Sequence, residues 1–144
     1  MGEATVDILK HATADAAQAI SKLLPQLSSA AGGFTVGQLS DLLSADAVTL
    51  FVARIDQAIV GMLTLVTYEI PSGKRARIED VVVDEIARGH GVAFAMTEAA
   101  VATARKLGAR TVDLTSRPSR ESANRLYQRA GFMTRDSLTY RRTL

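Results

Sequence analysis

One change of period constrains this chain more than any other feature. From Arg75 to Val83 the residues alternate as a half-buried strand does, with Ile78, Asp80 and Val82 expected on one face and Glu79, Val81 and Val83 on the other. Beyond Asp84 to Ala87 the spacing turns helical, and Val92, Met96, Ala99, Ala100 and Leu107 recur along one stripe of an alanine-rich run. Arg105 and Lys106 suit its last turn and Gly108 its end. Thr111 to Thr115 then reads as a strand again. Strand, helix and strand in that order make a βαβ unit over roughly Arg75 to Thr115, whose two strands must lie parallel in one sheet.

The flanking sequence completes a mixed α/β domain. Val6 to Lys10 reads as a short strand, and Thr13 or Asp15 can cap a helix with its stripe at Ala16, Ala19, Ile20, Leu23 and Leu24, ended or kinked by Pro25. A loop from Ser28 to Gly33 leads to a shorter helix over Val36 to Leu43. Val48 to Arg54 and Ala58 to Tyr68 form an antiparallel hairpin about Ile55, Asp56 and Gln57, and a loop at Pro71, Ser72 and Gly73 follows. After the βαβ unit, Pro118 and Ser119 open a helix with Ala123, Leu126, Tyr127 and Ala130 on one face. Gly131 closes it, and Phe132 is expected to begin a final strand pair.

The 144 residues fit a single domain, 47% hydrophobic and without cysteine, which excludes disulfides, thiolate metal sites and a cysteine acyl-enzyme. The net charge of +2 is too small to imply general nucleic-acid binding. Charge is concentrated locally, however: Arg117, Arg120, Arg125, Arg129, Arg135, Arg141 and Arg142 are opposed only by Glu121 and Asp136. That run suits either a phosphate-rich ligand or a solvated basic surface. The apolar stretch Ala58 to Val66 is too short to span a bilayer, and Glu3 and Asp7 interrupt any signal-like N-terminus. Val6 stands where a myristoylation signal wants Ser or Thr. The expectation is a cytoplasmic protein with no membrane or nucleic-acid partner and no metal.

Arg88, Gly89, His90, Gly91, Val92 and Ala93 lie between strand and helix, where unpaired backbone N–H groups and the helix dipole favour an anion. Small residues there let a phosphate approach the backbone, although a glycine pair at a helix start can also be a simple tight turn. A dinucleotide fingerprint would need a third glycine where Phe94 stands, although Asp113 is placed for a ribose contact. A nucleotide P-loop would need a Lys-Ser or Lys-Thr pair that the chain lacks.

The hexad fits Gln/Arg-x-x-Gly-x-Gly/Ala through Arg88, Gly91 and Ala93. It follows the acidic, valine-rich Ile78-Glu79-Asp80-Val81-Val82-Val83 and precedes Ser122-Ala123-Asn124-Arg125-Leu126-Tyr127-Gln128-Arg129-Ala130-Gly131-Phe132. Together these resemble the GNAT superfamily of acyl-CoA dependent N-acyltransferases from Arg75 to Phe132, whereas the N-terminal half matches only in the order and length of its elements. The resemblance implies a single-domain mixed sheet, splayed at its centre and flanked by helices. It implies acetyl-CoA as co-substrate, its pantetheine arm entering the splay beside Val81, Val82 and Val83, and its pyrophosphate on the amides from Arg88 to Ala93, through Gly89, His90, Gly91 and Val92. A homodimer is expected from relatives that pair through C-terminal strands.

Asn124 and Tyr127 match positions that in similar enzymes contact the cofactor arm and place a phenol near its sulfur. With a reference pKa of about 10, Tyr127 can donate a proton to a departing thiolate at neutral pH. Its alternative is packing beside Ala123 and Leu126. Glu79 matches an acidic position that serves some relatives as the base for the attacking amine, with Asp80 or a water chain as alternatives and a salt bridge to a nearby arginine as the structural reading of either carboxylate. A backbone N–H near Val81 is the natural oxyanion donor. His90 is expected to hold cofactor or lie exposed, and His11 has no partner that the sequence names. The chain therefore reads as an N-acetyltransferase acting on a primary amine by direct transfer in a ternary complex, although a serine ester remains open. The competing reading is a catalytically silent acyl-CoA-binding regulatory module.

Overall fold

The computed structural model describes residues 2–28 and 32–144, so Ser29, Ala30 and Ala31 of the expected loop lie outside the described residues. The elements are β1 (Thr5–Ile8), α1 (Ala14–Leu27), α2 (Val36–Ser44), β2 (Val48–Ile55), β3 (Ala58–Ile70), β4 (Gly73–Val83), α3 (Val92–Lys106), β5 (Val112–Asp113) and α4 (Glu121–Arg129), with one turn of tighter helix at Glu85–Ala87. The strands form one sheet in the order β1-β2-β3-β4-β5. The first four run antiparallel, while β5 is parallel to β4, as a βαβ crossover through α3 requires.

Local chemistry explains the element starts. Thr13 Oγ1 accepts from Ala16 N at 3.1 Å and caps α1. Thr35 and Gln38 form a reciprocal capping box on α2. Asp56 and Gln57 adopt positive φ angles of 49° and 73°, the conformation a two-residue hairpin needs to follow the sheet's twist. Helix α1 continues through Pro25 to Leu27, where sequence reasoning ended or kinked it. So near the C-terminus, the missing proline N–H removes only one bond of a nearly finished ladder.

Two hydrophobic layers sandwich the sheet. Phe51, Leu63, Leu65, Ala76 and Ile78 bury against Val92, Met96, Ala100 and Ala104 of α3. On the opposite face Leu50, Val52, Met62 and Val82 bury against Ala16, Ala17, Ile20 and Leu23 of α1 and Leu39 of α2.

The C-terminal expectation is corrected. The strand expected over Thr111 to Thr115 shortens to Val112–Asp113, and the final strand pair is not formed among the described residues. Gly131 N and Phe132 N bond back to Gln128 O and Tyr127 O at 3.1 and 2.9 Å, and Phe132 packs against the α3-side core. Beyond it Met133 and Tyr140 are 85% and 87% exposed. A two-residue β5 is too short an edge to template another strand, and the segment carries Arg135, Asp136, Arg141 and Arg142, which favour water.

Candidate active site

The site begins with one extra residue in β4. Met62 and Thr64 of β3 pair with Val82 and Glu79, so Leu63 faces both Asp80 and Val81. Asp80 absorbs this bulge at φ 50°, a left-handed conformation that Asp tolerates better than most residues. The bulge breaks the regular alternation expected from the sequence. Ile78 lies in the α3-side core whereas Val82 lies in the α1-side core, and Val81 and Val83 join Ile78 on the α3 side.

The other edge of β4 is divided as well. Only Ala76 and Arg77 pair with β5, opposite Val112 and Asp113, so from Ile78 to Val83 no strand of the sheet lies beside β4 on that side. Beyond Arg77 the edge of β4 is thus unpaired and borders an opening, the wedge, that no strand of the sheet fills. Arg77 ties the mouth of the wedge, donating through Nη2 to Glu79 Oε1 at 3.3 Å and to Thr115 Oγ1 at 3.1 Å. Just past Thr115, Ser116 Oγ is buried without a hydrogen-bond partner among the described residues.

The glycine loop caps the same end of β4. Gly89 and Gly91 have φ angles of 81° and 73°, and a Cβ added at either would meet no atom within 4 Å, so both open onto free space. Gly91 is the N-cap of α3 and supplies no side-chain acceptor, which leaves the first-turn N–H groups to an incoming anion. The loop itself is fixed: Arg88 Nε donates to Val83 O at 3.3 Å, Ile86 N to Asp84 Oδ1 at 3.3 Å and Glu85 N to Gln26 Oε1 at 3.1 Å. Val92 is buried under the helix, Ala93 is half-buried, and His90 is exposed.

Helix α4 is fastened beside α3 by Arg129, whose guanidinium lies 4.9 Å above the centre of the Phe94 ring. Asn124 Nδ2 donates to Arg117 O at 3.0 Å and so anchors the turn that leads into α4. Tyr127 is only 8% exposed and meets Phe132 edge-on, with ring centres 6.0 Å apart. Burial raises its phenol pKa above the ordinary tyrosine value, and the charge of Arg120 opposes this in part.

The two carboxylates of the bulge differ. Glu79 is engaged by Arg77, the salt bridge that sequence reasoning held as the alternative to a catalytic role. Asp80, although open to solvent over much of its surface, has its pKa raised, first by desolvation of the carboxyl and then by the charge of Glu79. Arg77 and Ser116 were missed from the sequence, yet Arg77 carried a signal, since residues two apart on a strand share a face and Arg77-x-Glu79 is a ready ion pair. His11 lies elsewhere, lining an open concavity of about 740 Å³ along β1, at the opposite edge of the sheet, together with Asp7, Lys10 and Arg54. No metal-binding group of three or more His, Cys, Asp or Glu exists among the described residues, and no helix there is long and apolar enough to cross a membrane.

Comparison with known proteins agrees with this geometry. The chain superposes on an aminoglycoside acetyltransferase from an uncultured soil metagenomic sample with a TM-score of 0.86 at 18% identity, covering 98% of this chain and 96% of the other. A putative acetyltransferase from Agrobacterium tumefaciens str. C58 gives 0.82 at 20% identity, covering 96% and 99%. Glucosamine-6-phosphate N-acetyltransferase from Arabidopsis thaliana gives 0.80 at 22%, covering 96% and 98%. At such identities the likeness establishes the fold alone. No curated protein sequence matches significantly. The family model described as Acetyltransferase (GNAT) family matches residues 17–132, from α1 through the wedge to Phe132, and the chain belongs to that family.

Proposed function

We propose that this protein transfers the acetyl group of acetyl-CoA directly to a primary amine of a small molecule or peptide, both substrates being bound together. The observation that carries this reading is the coincidence, at one end of β4, of an edge without a neighbouring strand and a glycine-lined helix start without a side-chain cap. An extended chain with amide groups can add to the edge as a short strand does, and a pyrophosphate suits the helix start. The residues present therefore fit acetyl-CoA, which when bound supplies an activated acyl carbon and a thiolate leaving group.

Each residue then has a role. Backbone groups of Val81 and Val83 hold the arm, with Val82 anchoring the strand from the opposite core, and the amides from Arg88 to Ala93 hold the pyrophosphate. Asn124 positions the start of α4 against the arm. As the C–N bond forms and the C–S bond breaks, Tyr127 Oη gives its proton to the sulfur, and its raised pKa keeps that proton available at neutral pH. The attacking amine must lose a proton, and its acceptor is a carboxylate of the bulge. Glu79 was the candidate from sequence, but its pairing with Arg77 and the raised pKa of Asp80 favour Asp80 as the base, with Glu79 sustaining the negative field that attracts the ammonium. A backbone N–H near Val81 stabilises the oxyanion.

The names of the structural neighbours span an aminoglycoside, an amino-sugar phosphate and a ribosomal-protein alanine as acceptors, so they do not select among substrates. The test is acetyl-CoA titration by calorimetry, followed by an amine panel read out as free thiol. Saturable binding with amine-dependent thiol release supports the enzyme. Binding without release across the panel would make the chain a silent acyl-CoA-binding module, and absence of binding would overturn the reading.

A further inference from the structure

A second concave site lies at the other end of β4. Arg75, Arg110, Thr111, Asp113 and Arg135 line a cleft of about 350 Å³. They come from three separate stretches: the start of β4, the approach to β5 and the segment after α4. Three guanidinium groups around one small cleft repel one another, and Asp113 is the single carboxylate in the lining.

The fold nevertheless holds two of them there. Arg110 Nη1 donates to Ser72 O at 3.0 Å and Arg75 Nη2 to Ser72 Oγ at 3.2 Å, so both are steadied on the β3–β4 turn by neutral acceptors. Gly73, at φ 126°, makes the room, since a Cβ there would come within 2.8 Å of Arg110 Cδ. The ion pairs among the described residues join Arg54 to Asp7, Lys74 to Glu69 and Arg77 to Glu79, and none involves Arg75, Arg110 or Arg135. Guanidinium forks held by neutral acceptors around an open cleft match the planar, bidentate recognition of phosphate or carboxylate.

The cleft is in register with the wedge. Ala76 and Ile78 turn into the α3-side core, so Arg75, Arg77 and Glu79 share the opposite face of β4. Asp113 stands beside Arg77 in the parallel ladder. From Arg75 to Glu79 is four residues of strand, about 13 Å. One face of β4 therefore presents excess positive charge at one end and Glu79, held by Arg77, at the other, where the chain enters the bulge at Asp80.

We propose that this cleft is an oxyanion subsite of the acceptor: it takes the phosphate or carboxylate of an amine whose nitrogen lies at the Glu79–Asp80 bulge. The proposal rests on the acetyl-transfer reading above and narrows it to acceptors that carry both an amine and an anionic group, against polycationic amines.

The test separates the two. With CoA saturating, so that the glycine loop is occupied, inorganic phosphate is titrated into the wild type and into Arg110→Gln and Arg135→Gln. Arg135 makes no hydrogen bond or ion pair among the described residues, so its replacement leaves the fold intact even if Arg110→Gln does not. Kinetics then compare amines matched in length and bearing a phosphate, a carboxylate, a hydroxyl or a second amine. The expected result is phosphate binding weakened about tenfold or more by either substitution, with kcat/KM for the anionic amines falling in parallel and KM for acetyl-CoA unchanged. Phosphate should compete with the acceptor and not with acetyl-CoA. Phosphate binding that is the same in wild type and variants would overturn the subsite, as would anionic amines turning over no better than hydroxyl or diamine analogues. Phosphate that binds through these arginines without competing with the acceptor would mark a separate anion site and overturn the acceptor assignment. CoA failing to bind in the first titration would instead defeat the acetyl-transfer reading itself.

Discussion

The two edges of β4 have opposite fates. Toward β3 the ladder runs from Gly73 opposite Ile70 to Val83 opposite Gly61, broken only at the bulge. Beneath it Leu63 and Leu65 are fully buried against Met96 and Ala100 of α3. Toward β5 the ladder consists of Ala76 and Arg77 alone. One strand thus serves stability along one edge and leaves hydrogen-bonding groups available to a ligand along the other. The bulge at Asp80 serves both, because the β3 ladder resumes beyond it with its register shifted by one residue while the valines that follow are turned. The proposed binding edge thus belongs to the same strand that packs the core, and substitutions on the two edges should separate binding from stability.

The largest separation is expected from Gly91→Glu, which sets bulk and negative charge at the uncapped start of α3 in a backbone conformation at φ 73°. Acetyl-CoA binding should fall below calorimetric detection while far-ultraviolet circular dichroism remains that of the wild type. On the other edge, Leu65→Ala empties a fully buried position opposite Ile78, before the bulge, and should cost about 2–5 kcal/mol in urea unfolding. Its KM for acetyl-CoA, measured well below the melting temperature, should not change. Tyr127→Phe removes only the hydroxyl, so kcat should drop about 100-fold with acetyl-CoA affinity retained. Unchanged kcat would show that water protonates the thiolate.

The smallest and most informative change is Asp80→Asn. Asn tolerates the left-handed backbone at this position, so the bulge should survive. In the folded protein Asp80 holds its proton to higher pH than in the unfolded chain. Its contribution to stability is therefore fully present below the unfolded pKa and is lost as pH rises through the raised folded value. At neutral pH the variant should melt slightly higher than the wild type. At the same time kcat/KM should fall about tenfold and lose its rise with pH on the acid side. Lower activity together with lower stability would make Asp80 a structural residue only. On the alkaline side, activity that depends on the Tyr127 proton should persist beyond the ordinary tyrosine range, because burial raises that pKa.

The central unit was legible because its signals are local. The change from strand to helical spacing at Arg88 to Ala93, the caps at Thr13 and Gly108, and the turn at Asp56-Gln57 each involve residues close in sequence. The bulge was not legible, since Glu79-Asp80-Val81 continues a plausible alternation and only the pairing with Leu63 reveals the extra residue. The pairing of Glu79 was legible only as an alternative, a salt bridge to a nearby arginine, and the fold identifies Arg77 as that partner. Arg75, Arg110 and Arg135 are scattered along the chain, and no window of sequence brings them together. The final strand pair was expected from Phe132 onward, yet a strand needs an edge to pair with, and a β5 of two residues offers almost none.

Amide hydrogen exchange with and without acetyl-CoA tests the central claim most directly. The expected result is slowed exchange at Val81, Val83 and the amides from Arg88 to Ala93, with β2 and the β3 side of the sheet unchanged. Slowing spread evenly over the sheet, or confined to the concavity along β1, would contradict a binding wedge on the free edge of β4.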